Sequence, residues 1–368
     1  MKIRKITLPL CAAALLAVSC YDFAGQTTVM SSTPTWTGSA AHTYSGRQGV
    51  VGLAGQDVYW FNTGGPSYWH DPLIQEFGGP YVLTSVTQTH TLGLHEQTFV
   101  HGNLVGETDN LSLLHTVQGG FGSMEWVDPW FFTPSIQDKN GTTLNIVEIC
   151  DMASPADESY GNPSDPDSQL FLSVRACSPT LGGCAGAILE VSVDSGEQYW
   201  WTEYRDGSEQ AWAHAGTGPF WTGPEWFTNE CMPIAVTTRG DQSTQYLVVA
   251  EPSRDEVSLF DASSIASGPV DSFKANEPNR SIVDLTVEGR GDGEVDVMFL
   301  GTLWKGSAGS RLKHRNIADG DISTDPPFLV EVLPSNIDFI ASRGVGAEGT
   351  TGDLFTFGAQ VMRRNYAQ

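Results

Sequence analysis

The sequence predicts an all-β fold: a β-propeller of six or seven blades, or of five, with the ring closed by N- and C-terminal strands. Three observations predict it. Apolar runs are short, alternate with polar residues, and end in Gly, Asp, Asn or Pro. Glycine is abundant at 40 residues and proline at 20, while few stretches carry helical apolar spacing over about eleven positions. About 320 residues follow the N-terminal segments, too many for one ordinary sandwich, and they divide into units of about 45–50 residues.

The strand pattern begins at 50–53 (Val-Val-Gly-Leu) and 57–61 (Asp-Val-Tyr-Trp-Phe). Further candidates are 80–87, 97–104, 144–150, 170–176, 187–193 and 199–204. Later ones are 234–238, 246–250, 256–260, 282–287, 295–300, 328–332 and 354–360. Each is a β-branched or aromatic run bounded by turn residues. The run 354–362 is expected to pair with strands near Val50, which would leave no open edge.

Three hairpins carry local resemblances. Residues 246–250 (Tyr-Leu-Val-Val-Ala) followed by 256–261 (Glu-Val-Ser-Leu-Phe-Asp) resemble a blade hairpin of the surface-layer YVTN type. Residues 192–200 (Ser-Val-Asp-Ser-Gly-Glu-Gln-Tyr-Trp) resemble the Asp-box of sialidase-type propellers. There the Asp carboxylate accepts turn N–H bonds, Gly196 takes the positive φ, and an aromatic packs beneath. That motif is structural in its family. Residues 288–296 resemble the calcium loop of integrin-type propellers, with Glu288, Asp292 and Asp296 at oxygen-ligand positions. The resemblance implies Ca²⁺ as the ion for such a loop. Arg290 stands at a further ligand position, and Ca²⁺ takes six to eight oxygens, so a solvated acidic turn is the plainer reading.

The N-terminus reads as an address. Lys2, Arg4 and Lys5 precede an uncharged apolar run, residues 6–18, that is too short to span a bilayer. It has the form of a cleaved signal. The end of this segment, Leu16-Ala17-Val18-Ser19-Cys20, resembles the bacterial lipobox, although Leu16 stands one place earlier than that family's Leu. The resemblance implies that residues 1–20 are a lipoprotein signal and that Cys20 becomes the lipidated first residue. It also implies a membrane partner through that lipid. Tyr21, where an Asp would favour inner-membrane retention, points to the outer membrane, on its periplasmic or cell-surface side. Residues 21–46, rich in Ser, Thr, Gly and Ala, read as a flexible tether, and 47–368 as the propeller domain.

Formal charge is −24. Without Lys2, Arg4 and Lys5 the balance is 16 basic against 43 acidic residues, about −27. Such a field repels nucleic acid, which is excluded as a partner. Four cysteines remain after Cys11 and Cys20: Cys150, Cys177, Cys184 and Cys231. An even number in an exported chain suggests two disulfides. Cys177 and Cys184 flank a hairpin tip and should pair locally, leaving Cys150 for Cys231. A metal site competes with this pairing, without CxxC spacing to support it.

For function, the first expectation is a binding or scaffold module for a protein or glycan. Trp126, Trp130, Trp200, Trp221 and Trp226 are candidate ligand-binding aromatics, although Trp between blades also serves as packing. The second expectation is a hydrolase. Residues 69–74 (Trp-His-Asp-Pro-Leu-Ile) and 78–83 (Gly-Gly-Pro-Tyr-Val-Leu) resemble the first blade of five-bladed arabinanase-type glycosidases. That resemblance implies Asp71 as base, with Asp128 and Glu225 as further carboxylates. Inverting chemistry sets acid and base about 6.5–9.5 Å apart. Asp-Pro is also a common turn pair. His90, His95, His101 and His115 cluster in sequence, and His95 and His101 share a strand face if no bulge intervenes. Satisfied polar histidines are the plainer reading of them than a metal site.

Overall fold

The computed structural model describes residues 22–31, 34–44, 47–62, 68–72, 81–91, 95–104, 112–120, 123–126, 130–131, 135–137, 143–153, 167–179, 184–195, 202–204, 231–236, 246–262, 267–274, 277, 279–288, 297–307, 309–318, 320–322, 329–333, 336–343 and 351–367. It is an all-β propeller, and among these residues helical geometry is confined to 3₁₀ turns, such as Pro252–Arg254.

The chain lays down one antiparallel sheet after another. β1 (Asp22–Met30) stands apart and joins the last sheet. β2 (Gly38–Tyr44), β3 (Arg47–Ala54), β4 (Asp57–Asn62) and β5 (Tyr68–Pro72) pair in that order. β6 (Tyr81–Thr91), β7 (His95–Leu104) and β8 (Ser112–Gly120) follow, with β9 (Ser123–Trp126) and β10 (Trp130–Phe131) both on β8. The next sheet is β11 (Ser135–Gln137), β12 (Thr143–Ala153), β13 (Asp167–Cys177), β14 (Cys184–Ser195) and β15 (Thr202–Tyr204). After it come β16 (Ile234–Val236), β17 (Tyr246–Glu251), β18 (Glu256–Asp261) and β19 (Asp271–Lys274). β20 (Arg280–Glu288), β21 (Val297–Gly306) and β22 (Gly309–Ala318) carry β23 (Asp321–Ile322) and β24 (Leu329–Val332) on β22. β25 (Ile337–Arg343), β26 (Thr351–Gly358) and β27 (Val361–Ala367) then take β1 on the outside of β27.

The described strands thus form six sheets. β2, β6, β12, β16, β20 and β25 are neighbours in that cyclic order, β25 returning to β2. They are the inner strands. Bonds between β20 and β25 keep a constant offset, with Asp284 reaching Ile340 and Thr286 reaching Ser342. These two inner strands therefore run in the same direction.

The core lies between sheets, as alternation requires. Tyr246, Val248 and Ala250 of β17 face the next sheet, packing with Ile282, Leu285, Leu300 and Trp304. Leu247 and Val249 face the preceding one, with Phe171 and Ile188. A run buried on both faces reads as continuously apolar, and every residue of β17 is buried. At the join between last and first sheets, Trp36 sits 5.2 Å from Phe357 and 5.3 Å from Tyr59, edge to face. Its indole N–H donates to the Gly358 carbonyl at 3.2 Å. Gly52 makes room for this cluster, since a Cβ there would lie 2.7 Å from the Phe357 ring.

The N-terminal segment corrects the expected tether. β1 and β2 both fall within 21–46. The closing strand is also different from the one expected. The C-terminal β27 pairs with Asp22–Met30, register Asp22↔Ala367 to Met30↔Val361. Val50 meets Phe355 and Phe357 through face-to-face packing instead. The N- and C-terminal strands do close the ring, with an N-terminal partner that composition disguised.

Candidate functional site at the channel mouth

Inner strands β6, β12, β20 and β25 each carry a register slip, and in two of them an Asp directly follows the slipped residue. β12 slips register against β13 between Ile149 and Asp151, and β20 against β21 between Ile282 and Asp284. Each bulge leaves one residue without a register partner, Cys150 or Val283, and the Asp that follows re-enters the ladder, Asp151 opposite Ser173 and Asp284 opposite Leu303. The local sequences match: Ile149-Cys150-Asp151-Met152 and Ile282-Val283-Asp284-Leu285.

The two carboxylates are held identically. Asp151 Oδ1 accepts the Met152 N–H at 2.9 Å, and Oδ2 accepts the Ile234 N–H of β16 at 2.8 Å. Asp284 Oδ1 accepts the Leu285 N–H at 2.9 Å, and Oδ2 accepts the Ile340 N–H of β25 at 2.7 Å. Each Asp therefore fastens its own inner strand to the next by a charge-assisted bond. Asp284 is buried. Burial, and then the neighbouring Asp151 charge, push its carboxyl well above the ordinary 3.8, while the Ile340 and Leu285 N–H groups pull the other way.

The carboxylates border a cavity of about 190 Å³. Its wall draws on five inner-strand regions: Thr37 to Ser39 at β2, Cys150 and Asp151, Cys231 to Pro233 ahead of β16, Val283 and Asp284, and Phe339. Thr37 and Cys231 to Pro233 precede their strands and Phe339 is the third residue of β25, whereas Asp284 is mid-strand in β20 and Asp151 is near the finish of β12, so the cavity lies toward the beginning of β2, β16 and β25. The recess mixes hydroxyls and carboxylates with Met232, Pro233, Val283 and Phe339, the make-up of a small-ligand seat.

A disulfide forms part of the wall. Cys150 and Cys231 are bonded across 81 residues, Cα–Cα 5.3 Å, joining β12 to the segment that leads into β16. Cys177 and Cys184 are bonded at the β13–β14 hairpin, Cα–Cα 4.0 Å. Both pairings are those expected from the sequence. Glu148, Cys150 and Cys231 place ligand-type atoms within 4.8 Å of one another. With both sulfurs in the disulfide, this is not a thiolate site.

The sequence candidates are scattered. Asp71 lies on β5, paired with Val58, at the edge of its sheet furthest from inner strand β2. A base acting in the channel would have to stand on or near an inner strand, so Asp71 is not brought there. Trp126 on β9 and Trp130 on β10 pair with β8, two strands out from β6. Asp128, Glu225, Trp200, Trp221 and Trp226 lie outside the described residues, as do Cys20, Asp292 and Asp296. Glu288 ends β20. His95 and His101 share β7, His90 is on β6 and His115 on β8. His101 is fully buried and stands opposite Ser85 and Leu113. The Asp-box resemblance falls at the end of β14, and the YVTN-type resemblance is a hairpin in register Tyr246↔Asp261. The cavity carboxylates Asp151 and Asp284 were not among the sequence candidates. The repeated Ile-x-Asp pattern was their one signal.

No protein-family model matches the chain, and no curated protein matches it. Among solved structures it is similar to the SapL1 lectin in complex with alpha methyl fucoside, at 10% identity and TM-score 0.42, over 90% of this chain and 91% of that one. It is similar to a mutant of B. megaterium levansucrase at 12% identity and TM-score 0.42, over 82% and 86%. The N-terminal domain of Nup159 aligns at 11% identity and TM-score 0.37, over 94% and 95%. No ligand or activity is carried over from them.

Proposed function

We propose that this protein is an exported, lipid-anchored propeller in which each of the six sheets is one blade. It acts as a binding or scaffold module and seats its ligand at the channel mouth. The cavity bounded by Thr37, Ser39, Asp151, Asp284 and Phe339 is the observation that carries the reading. The lipobox-like end at Cys20 supports an outer-membrane address, and two disulfides suit an oxidising compartment. Binding is preferred to hydrolysis because all four carboxylate oxygens at the mouth accept backbone N–H bonds. An acid–base pair must instead exchange protons with substrate. The hydrolase reading also places its base, Asp71, on an outer strand.

The test is a screen of the mature protein against an array of glycans and cell-envelope peptides. A variant with the mouth filled, Thr37→Trp, is screened alongside. The expected result is a ligand whose affinity falls at least tenfold in the variant at an unchanged melting temperature. Unaltered binding by Thr37→Trp would remove the mouth as the seat. Glycan hydrolysis by the wild-type protein would return the enzyme reading.

A further inference from the structure

We infer that the anchored protein stands on the end of the propeller where its inner strands finish, with the channel cavity facing away from the lipid. This rests on the proposal that Cys20 is lipidated. It goes beyond that proposal by assigning which end of the fold meets the membrane.

Strand direction decides which end lies beside Cys20. β25 runs from Ile337, beside the cavity, to Arg343. β26, β27 and β1 are successively antiparallel to it. β1 is the third strand out, so it runs opposite to β25. Its residue Met30 is level with Val361 and Phe357, and through them with the cavity residue Phe339. Its residue Asp22 is level with Ala367 and Thr351, at the end where β25 finishes. Eight strand steps separate Asp22 from Met30, about 26 Å at about 3.3 Å per residue.

Only Tyr21 lies between Cys20 and the first residue of β1. Two residue steps reach at most about 7 Å. A lipid on Cys20 would therefore hold the finishing end of the last sheet against the bilayer surface. No tether remains to let the body turn over, because β1 is paired to β27 along its length. The cavity, toward the beginning of β2, β16 and β25, would lie on the side away from the lipid.

The experiment places a donor fluorophore on a cysteine introduced at one end or the other. Ser307 is exposed at the β21–β22 turn, where β20 and β25 begin. Asp321 is exposed at the start of β23, where they finish. The two positions are about 30 Å apart along β22 by strand rise. Full-length protein carrying Ser307→Cys or Asp321→Cys is purified from membranes and reconstituted in phosphatidylcholine vesicles containing a rhodamine-labelled phospholipid. Mass spectrometry reads the N-terminal peptide of the same sample. The expected result is an acylated Cys20 and markedly stronger energy transfer from residue 321 than from residue 307. Acylated protein with equal or reversed transfer would overturn the orientation alone. An unacylated N-terminus would overturn the anchor, and the orientation with it.

Discussion

Asp284 Oδ2 accepts the backbone N–H of Ile340 at 2.7 Å, tying one inner strand to the next beside the channel cavity. Asp284→Ala leaves the Leu285 and Ile340 N–H groups without this acceptor. Each buried donor left unsatisfied costs about 1–3 kcal/mol. For two donors the expected loss is therefore about 2–6 kcal/mol, read by urea unfolding. Asp284→Asn keeps one carbonyl acceptor and removes a buried charge. It should lose less than half as much. An Ala variant as stable as wild type would show that the fastening contributes little.

Two buried titrating groups act on acid stability with opposite signs. His314 lies against Phe299, centroids 4.3 Å apart, and burial lowers its pKa from 6.5 to about 4. The unfolded chain binds the proton first as pH falls. The stabilisation is therefore complete above about pH 6.5 and is lost between there and about pH 4. A shift of this size corresponds to about 3 kcal/mol. Asp284 is raised instead, so its charged form is disfavoured on folding. Its contribution improves as pH falls from neutrality toward 3.8. His314→Leu should flatten the loss of stability between pH 6.5 and 4, whereas Asp284→Asn should steepen it. Urea midpoints measured across that range check both.

The two disulfides differ in reach and should differ in worth. By loop-closure entropy, the 81-residue separation of Cys150 and Cys231 corresponds to about 4.5 kcal/mol. The 7-residue separation of Cys177 and Cys184 corresponds to about 2.4 kcal/mol. Replacing both cysteines of a pair by Ala should lower stability in that order. The Cys150/Cys231 replacement should also alter ligand affinity at the mouth, because that bridge lines the cavity. Equal losses from the two replacements would argue against the chain-entropy account.

The fold class was legible because burial between sheets imposes alternation and continuous apolar runs, as in β17 and β18. The strands that escaped notice had other reasons to form. β2 carries Gly38, Ser39, Ala40 and Ala41. Small residues suit an inner strand crowded by its neighbours and leave little apolar signal. β22 carries Arg311, Lys313 and Arg315 at alternate positions, which reads as polar surface. Yet Lys313 is buried, lying 4.5 Å from the Trp304 ring centre and 2.5 Å from Glu277, while Arg315 lies over Phe273. The carboxylates were missed because Asp normally ends a strand. A reading of the apolar run stops at Cys150, the slipped residue itself, one short of Asp151. Both disulfide pairings were legible because a hairpin tip settles one and leaves the other.

β1 is the strand that composition hid most completely, and removing it tests what it does. It covers β27 along seven register pairs, from Asp22↔Ala367 to Met30↔Val361. Deletion of residues 22–30, with Cys20 kept in place, would expose the backbone N–H and C=O groups of β27 as an open edge. Such edges recruit other strands. The expected outcome is a lower melting temperature together with concentration-dependent association, followed by light scattering. A synthetic peptide of residues 22–30 should suppress that association by re-forming the antiparallel pair, in the manner of strand addition. If the shortened protein stays monomeric at an unchanged melting temperature, β1 is an accessory strand, and closure rests on the Trp36, Tyr59 and Phe357 cluster between the first and last sheets.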